Sequence, residues 1–152
     1  MVALFLVGGF AIANRFGSQP RVPAALRDLP HVRATVANQE LLLVIAVDHA
    51  RGLTDIDDLG DVDGMLFVYD APADPTHEGF WMQGVRIPLD AAFFDADRRL
   101  IAQVAMGLCP AADEATRTCP VYTSPAPFRW VLETPAGSLR LEPGARLELT
   151  GG

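Results

Sequence analysis

From His31 to Thr150 the apolar residues never recur at helical spacing for as long as ten residues, and this property excludes most architectures. His31–Ala37 alternates Val32, Ala34 and Val36 with Arg33 and Thr35, the two-residue repeat of a half-buried strand. Asn38-Gln39 marks a turn, and Glu40–Val47 follows as an unbroken apolar run suited to a central strand. Met65–Tyr69, Gly79–Met82, Leu89–Asp95, Arg99–Val104, Phe128–Thr134 and Arg146–Thr150 read as further short strands. Turn residues separate them, with Asp95–Arg98 as a hairpin loop. Asp48–Thr54 has room for one helical turn, Asp55–Gly64 is an acidic loop, and Gly107–Pro127 is a long Pro-rich loop without periodicity. Thirteen Gly and twelve Pro suit a turn-rich chain of this kind. About eight close-spaced strands predict an antiparallel all-β domain, a sandwich or barrel. Without intervening helices or a Gly-rich phosphate loop, a parallel Rossmann-type sheet is excluded.

Charge narrows the partners. The net charge is −7, every one of the twelve cations is Arg, and only Arg98-Arg99 are adjacent. Nucleic acid requires a clustered basic surface, so it is not an expected partner. Val2–Ala13 is an uncharged apolar run, shorter than the roughly 20 residues a spanning helix needs. Its length fits the apolar region of a signal peptide, and Ala11-Ile12-Ala13 offers the small-x-small cleavage pattern. No basic residues precede it, which a start codon placed too late would explain. The expectation is export or membrane anchoring through residues 1–13, with a buried first strand or core helix as the other reading. Asn14–Pro30, punctuated by Pro20, Pro23 and Pro30, reads as a linker with one helical turn at Ala24–Asp28. Cys109 and Cys119 are the only cysteines. A disulfide closing so short a loop contributes roughly 3 kcal/mol on the chain-entropy model. Free thiols are the alternative, while a metal or redox pair is disfavoured because no His is near and the spacing is not CxxC.

Several short motifs occur in a fixed order: Arg51-Gly52-Leu53, Gly64-Met65-Leu66-Phe67-Val68, Phe80-Trp81-Met82, and Ile87-Pro88-Leu89-Asp90 with Phe93-x-Asp95-Ala96-Asp97. Pro120-x-Tyr122-x-Ser124 and Val131-Leu132-Glu133-x-x-Ala136-Gly137 follow. From Leu41 to Leu149 the chain resembles the DUF192 (UPF0127) family of small bacterial and archaeal proteins of unassigned function. The resemblance implies a β-sandwich of jelly-roll type with little helix, often exported, over residues 31–152; it implies no activity. Three departures stand out. The helix that usually precedes RGL is cut to Asp48-His49-Ala50, WMKNT becomes Trp81-Met82-Gln83-Gly84-Val85, and the last GD turn is Gly144-Ala145.

The candidate ligand-binding residues are Arg51, Trp81, Met82, Asp90 and Glu133. On a strand Phe80 and Met82 face one side and Trp81 the other, so Trp81 either covers an edge or forms the wall of a small-molecule pocket. Arg51 either forms a structural pair with Asp90 or Glu133 or meets a ligand carboxylate or phosphate. Asp55–Gly64 lacks the Gly and Glu positions of an EF-hand and reads as a solvated turn. His31, His49 and His77 are isolated and no G-x-S-x-G is present, so nucleophilic catalysis has no visible machinery; a glycosidase-type Asp90–Glu133 pair is the remaining enzymatic reading. No metal or cofactor is expected. These residues therefore predict a binding or accessory module for a small molecule, a sugar among the candidates, with a structural role in the cell envelope as the alternative.

Overall fold

The computed structural model describes residues 18–151. The export or anchoring segment and the first part of the linker lie outside the described residues. Two short helices, α1 (Ala24–Arg27) and α2 (Ala111–Thr116), accompany nine strands. In chain order these are β1 (His31–Val36), β2 (Gln39–Ile45), β3 (Gly64–Ala73), β4 (Phe80–Trp81) and β5 (Leu89–Phe94). β6 (Leu100–Met106), β7 (Val121–Tyr122), β8 (Phe128–Pro135) and β9 (Glu148–Gly151) complete them. The protein is all-β, as its periodicity predicts.

Seven strands form one sheet in the order β6-β5-β8-β3-β2-β1-β9. It curls into a half-barrel whose outermost strands approach each other. Leu100 N donates to Ala145 O and Leu147 N to Arg98 O, each at 2.9 Å, so the chain entering β9 pairs with the start of β6. In place of a second full sheet there is only the two-stranded β4–β7 pair. The antiparallel expectation is also corrected, because β2 and β3 run parallel, Leu43 opposite Gly64 and Ile45 opposite Leu66. Parallel neighbours require a crossover. Here residues 46–63 supply it as a string of turns, which hydropathy periodicity does not register. Gly64 lets this return strand lie close to β8, since a Cβ there would collide with the Glu133 carbonyl oxygen.

The sheet buries both faces, which explains why its central strands read as unbroken apolar runs. On the inner face Leu43, Leu66, Phe94, Leu132, Leu139 and Leu147 form one core. On the outer face Val44, Met65, Phe67, Ala91, Phe93 and Val131 form another. α1, the crossover and β4 cover this outer core with Leu26, Leu53, Ile56, Phe80 and Met82. Residues expected as linker thus contribute a fully buried Leu26. The first hairpin turns at Ala37-Asn38 (φ 50° and 61°), one position earlier than expected. The Gly107–Pro127 loop holds α2 and β7, each too short to imprint a repeat.

Candidate functional site

The site is built on the outer face, where the crossover passes over β3 and β8. Asp48 Oδ1 accepts from Ala50 N at 3.0 Å and Arg51 N at 3.4 Å, which folds residues 48–52 into a tight turn. The turn ends at Gly52 (φ +48°), where a Cβ would press on the Phe67 ring at 3.3 Å. Thr54 Oγ1 donates to Gln83 O at 3.3 Å and Asp55 N to Gly84 O at 3.0 Å, fastening the crossover to the turn after β4. Between these segments lies a cleft of about 230 Å³, lined by His49, Arg51, Thr54, Phe80, Trp81 and Val85, among others.

Trp81 and Arg51 therefore converge. Phe80 and Met82 point into the core, as the strand alternation predicts, and leave the Trp81 indole 45 % exposed on the cleft wall. Met82 lies beneath the site and does not face it. Arg51 is exposed and forms no ion pair among the described residues, whose salt bridges involve Arg21, Arg86 and His77. Of the two readings of Arg51, the structural pair with Asp90 or Glu133 is thus not formed. Asp90 lies elsewhere and accepts from Gly137 N at 2.8 Å, closing the turn after β8.

Glu133 sits on β8 between Met65 of β3 and Ala91 of β5, only 5 % exposed. Burial pushes its carboxyl up to about 8, so it is uncharged at neutral pH. Its Oε2 lies 4.0 Å from the place a Gly52 Cβ would occupy, directly behind the cleft. Nearby Tyr69 is pushed up to about 12, first by burial and then by the charges of Glu78 and Glu133. The His49 ring packs edge-on to Tyr69 at 4.7 Å and to Phe67 at 5.5 Å, linking the rim to the buried aromatics. Sequence reasoning missed His49 and Tyr69. Tyr69 had a signal, lying two positions beyond Phe67 on the same face of its strand.

Asp90 pairs across β5 and β8 with Thr134, the neighbour of Glu133, so the two carboxylates face opposite sides of the sheet. They cannot flank one glycosidic bond. Ser124 is buried, with its hydroxyl accepting from Ala126 N at 3.3 Å. The acidic loop is held by specific contacts and is not simply solvated. Asp55 and Asp57 bind Arg86, Asp58 and Asp61 bind Arg21, and Asp63 accepts from Leu42 N at 2.7 Å.

Cys109 and Cys119 form the expected disulfide, which closes the loop carrying α2. That loop rests on the turn after β4. Glu114 Oε1 accepts from Gly84 N at 2.8 Å, and the Gln83 side chain donates to Glu114 O at 3.1 Å while lying 3.2 Å from Cys119 Sγ. Gln83 and Gly84, the departures from the family pattern, are the seat of this loop. The disulfide fits an oxidising compartment. No helix among the described residues is long and apolar enough to cross a membrane.

These features define a small all-β domain with a half-barrel sheet and a loop-built cleft on its outer face. The chain belongs to the DUF192 family, described as an uncharacterized ACR, whose pattern it matches over residues 33–149. A crystal structure of a protein of unknown function from Novosphingobium aromaticivorans DSM 12444 is similar, with 26 % identity and a TM-score of 0.66. The match covers 86 % of this chain and 93 % of that one. A candidate transcription regulator from Sinorhizobium meliloti 1021 shares the fold at 24 % identity and a TM-score of 0.66, over 80 % of this chain and 95 % of that one. No curated protein matches the sequence.

Proposed function

We propose that this DUF192 domain is a binding module of an oxidising compartment that holds a small polar molecule in the Arg51–Trp81 cleft. The observation that carries the reading is the pairing of a half-exposed indole with an uncommitted guanidinium on one concave surface. An indole face receives sugar C–H groups or flat rings, and a guanidinium supplies directional donors for the polar edge. Sugars are candidates by analogy with other β-scaffolds, which is an argument from fold alone. Export through residues 1–13 would bring the domain to a compartment where the disulfide persists. A thermal-shift screen of sugars and small metabolites is expected to raise the melting temperature for at least one class, an effect lost in Trp81→Ala. Silence across the screen sinks the reading. One observation favours a protein-interaction role instead: Val121, 66 % exposed, lies opposite Trp81 in the β4–β7 pair and extends its apolar surface.

A further inference from the structure

Resting on the cleft reading above, we propose that the ligand is an anion, a small carboxylate with a flat non-polar face for Trp81, and that Glu133 beneath Gly52, by not pairing with Arg51, leaves the guanidinium free to receive it. The chain has nineteen acidic residues, yet no Asp or Glu lines this cleft. Its one fixed charge is Arg51. In an acid-rich protein, an acid-free hollow with an unpaired guanidinium is selective for anions, and a carboxylate meets a guanidinium through two parallel hydrogen bonds.

Glu133 is the second, independent observation. A buried carboxyl with no opposite charge normally demands an explanation. Arg51 and Gly52 line both the cleft and a hollow of about 150 Å³ toward Leu26 and Met65, and Glu133 lies behind Gly52 and opposite Met65. Tyr69 on β3 feels its charge, as it feels that of Glu78 ahead of β4, and the Tyr69 ring carries His49 of the crossover at 4.7 Å. β5 contributes only apolar side chains to this face, Leu89, Ala91 and Phe93. An ionised Glu133 behind Gly52 would repel a bound anion through a poorly solvated wall. Because burial holds its carboxyl at about 8, the group is neutral when the cleft is to be filled, and affinity becomes linked to a proton.

The test titrates the full chain calorimetrically with two matched pairs, D-glucuronate against D-glucose and benzoate against benzyl alcohol. At about pH 7 one carboxylate is expected to bind at least about tenfold tighter than its neutral partner, the scale of a charge-assisted contact. The pair that responds separates a sugar acid from an aromatic acid. Arg51→Ala should abolish the preference and Arg51→Lys retain part of it. Between about pH 7 and pH 9.5, above ordinary histidine titration, affinity should fall roughly tenfold in the natural protein and stay level in Glu133→Gln. Equal binding of acid and neutral partner overturns the anion assignment while leaving the cleft reading intact. Failure of both acids to bind at about 10 mM, a range weaker than any specific site needs, overturns it as well. A level pH profile in the natural protein overturns the role of Glu133. Should Glu133→Gln fail to fold, the Arg51 variants and the natural pH profile still decide.

Discussion

The inner face of the sheet is sealed by the sheet itself, because its curl brings β6 and the approach to β9 together over Leu66, Phe94 and Leu132. The outer face is sealed by pieces: one helical turn, the crossover and the β4–β7 pair, fastened by hydrogen bonds donated by Thr54, Asp55, Gln83 and Gly84. Strand ladders pack the inner core closely, and the hollow of about 530 Å³ at its border, beside Leu41 and Leu139, is walled largely by loop residues such as Asp58, Gly60 and Ser138. Turns packed side by side do leave gaps, and the cleft lies at one such seam. The face built from short segments also holds the unpaired Arg51 and, behind it, the buried carboxyl of Glu133. In this protein the sheet closes one core by itself, and short segments close the other.

The sharpest test of that contrast is truncation in the two cores. Phe94→Ala on the inner face should cost about 3–5 kcal/mol in urea unfolding, since a ladder-bound cavity cannot collapse. Leu53→Ala under the crossover should cost nearer 2 kcal/mol, because turns can settle into the space. Equal losses would break the comparison.

Next in size is the effect of Glu133→Gln. A carboxyl raised from 4.5 to about 8 keeps its proton in the folded chain after the unfolded chain has lost it. Its contribution is therefore greatest below about pH 4.5 and declines by about 1.4 kcal/mol per unit until about pH 8, then levels off. At pH 7 the glutamine variant should be more stable by about 3 kcal/mol, with the slope between those limits removed. Exposed Asp58 and Asp74, held low by hydrogen bonds to Arg21 and Thr76 respectively, act in the opposite direction and lose their contribution only as acid is added. Urea midpoints across a pH series separate the two trends.

The smallest effect should come from replacing both Cys109 and Cys119 by Ser, with a loss of about 2–3 kcal/mol. Hydrogen exchange should show the Gly84 amide losing protection while the β5–β8 ladder keeps its own. Loss of protection in both places would mean that the two faces are not separable.

Much of the inner face was legible in the sequence because its strands carry a two-residue period long enough to read. The parallel pairing of β2 with β3 was not, since strand order leaves no mark on periodicity. Nor was α2, six residues inside a Pro-rich loop. At the site, Trp81 followed from its parity with Phe80 and Met82. The pairing expected for Arg51 failed because charge alone was considered. Glu133 lies two positions beyond Val131 and so shares its buried face, where ionisation is costly. Asp90 was misplaced for another reason: its partner is a backbone amide 47 positions away, invisible to any search for complementary side chains.

The occupied edge of β6 has one more consequence. Leu100 and Arg98 are paired with the approach to β9, and the Gln103 amide holds Leu139 and Leu141 against the same border. At Arg98–Leu100 a strand from a second molecule finds the outward backbone already paired. That end of the border is therefore closed to the strand addition by which sheets template end-to-end polymers.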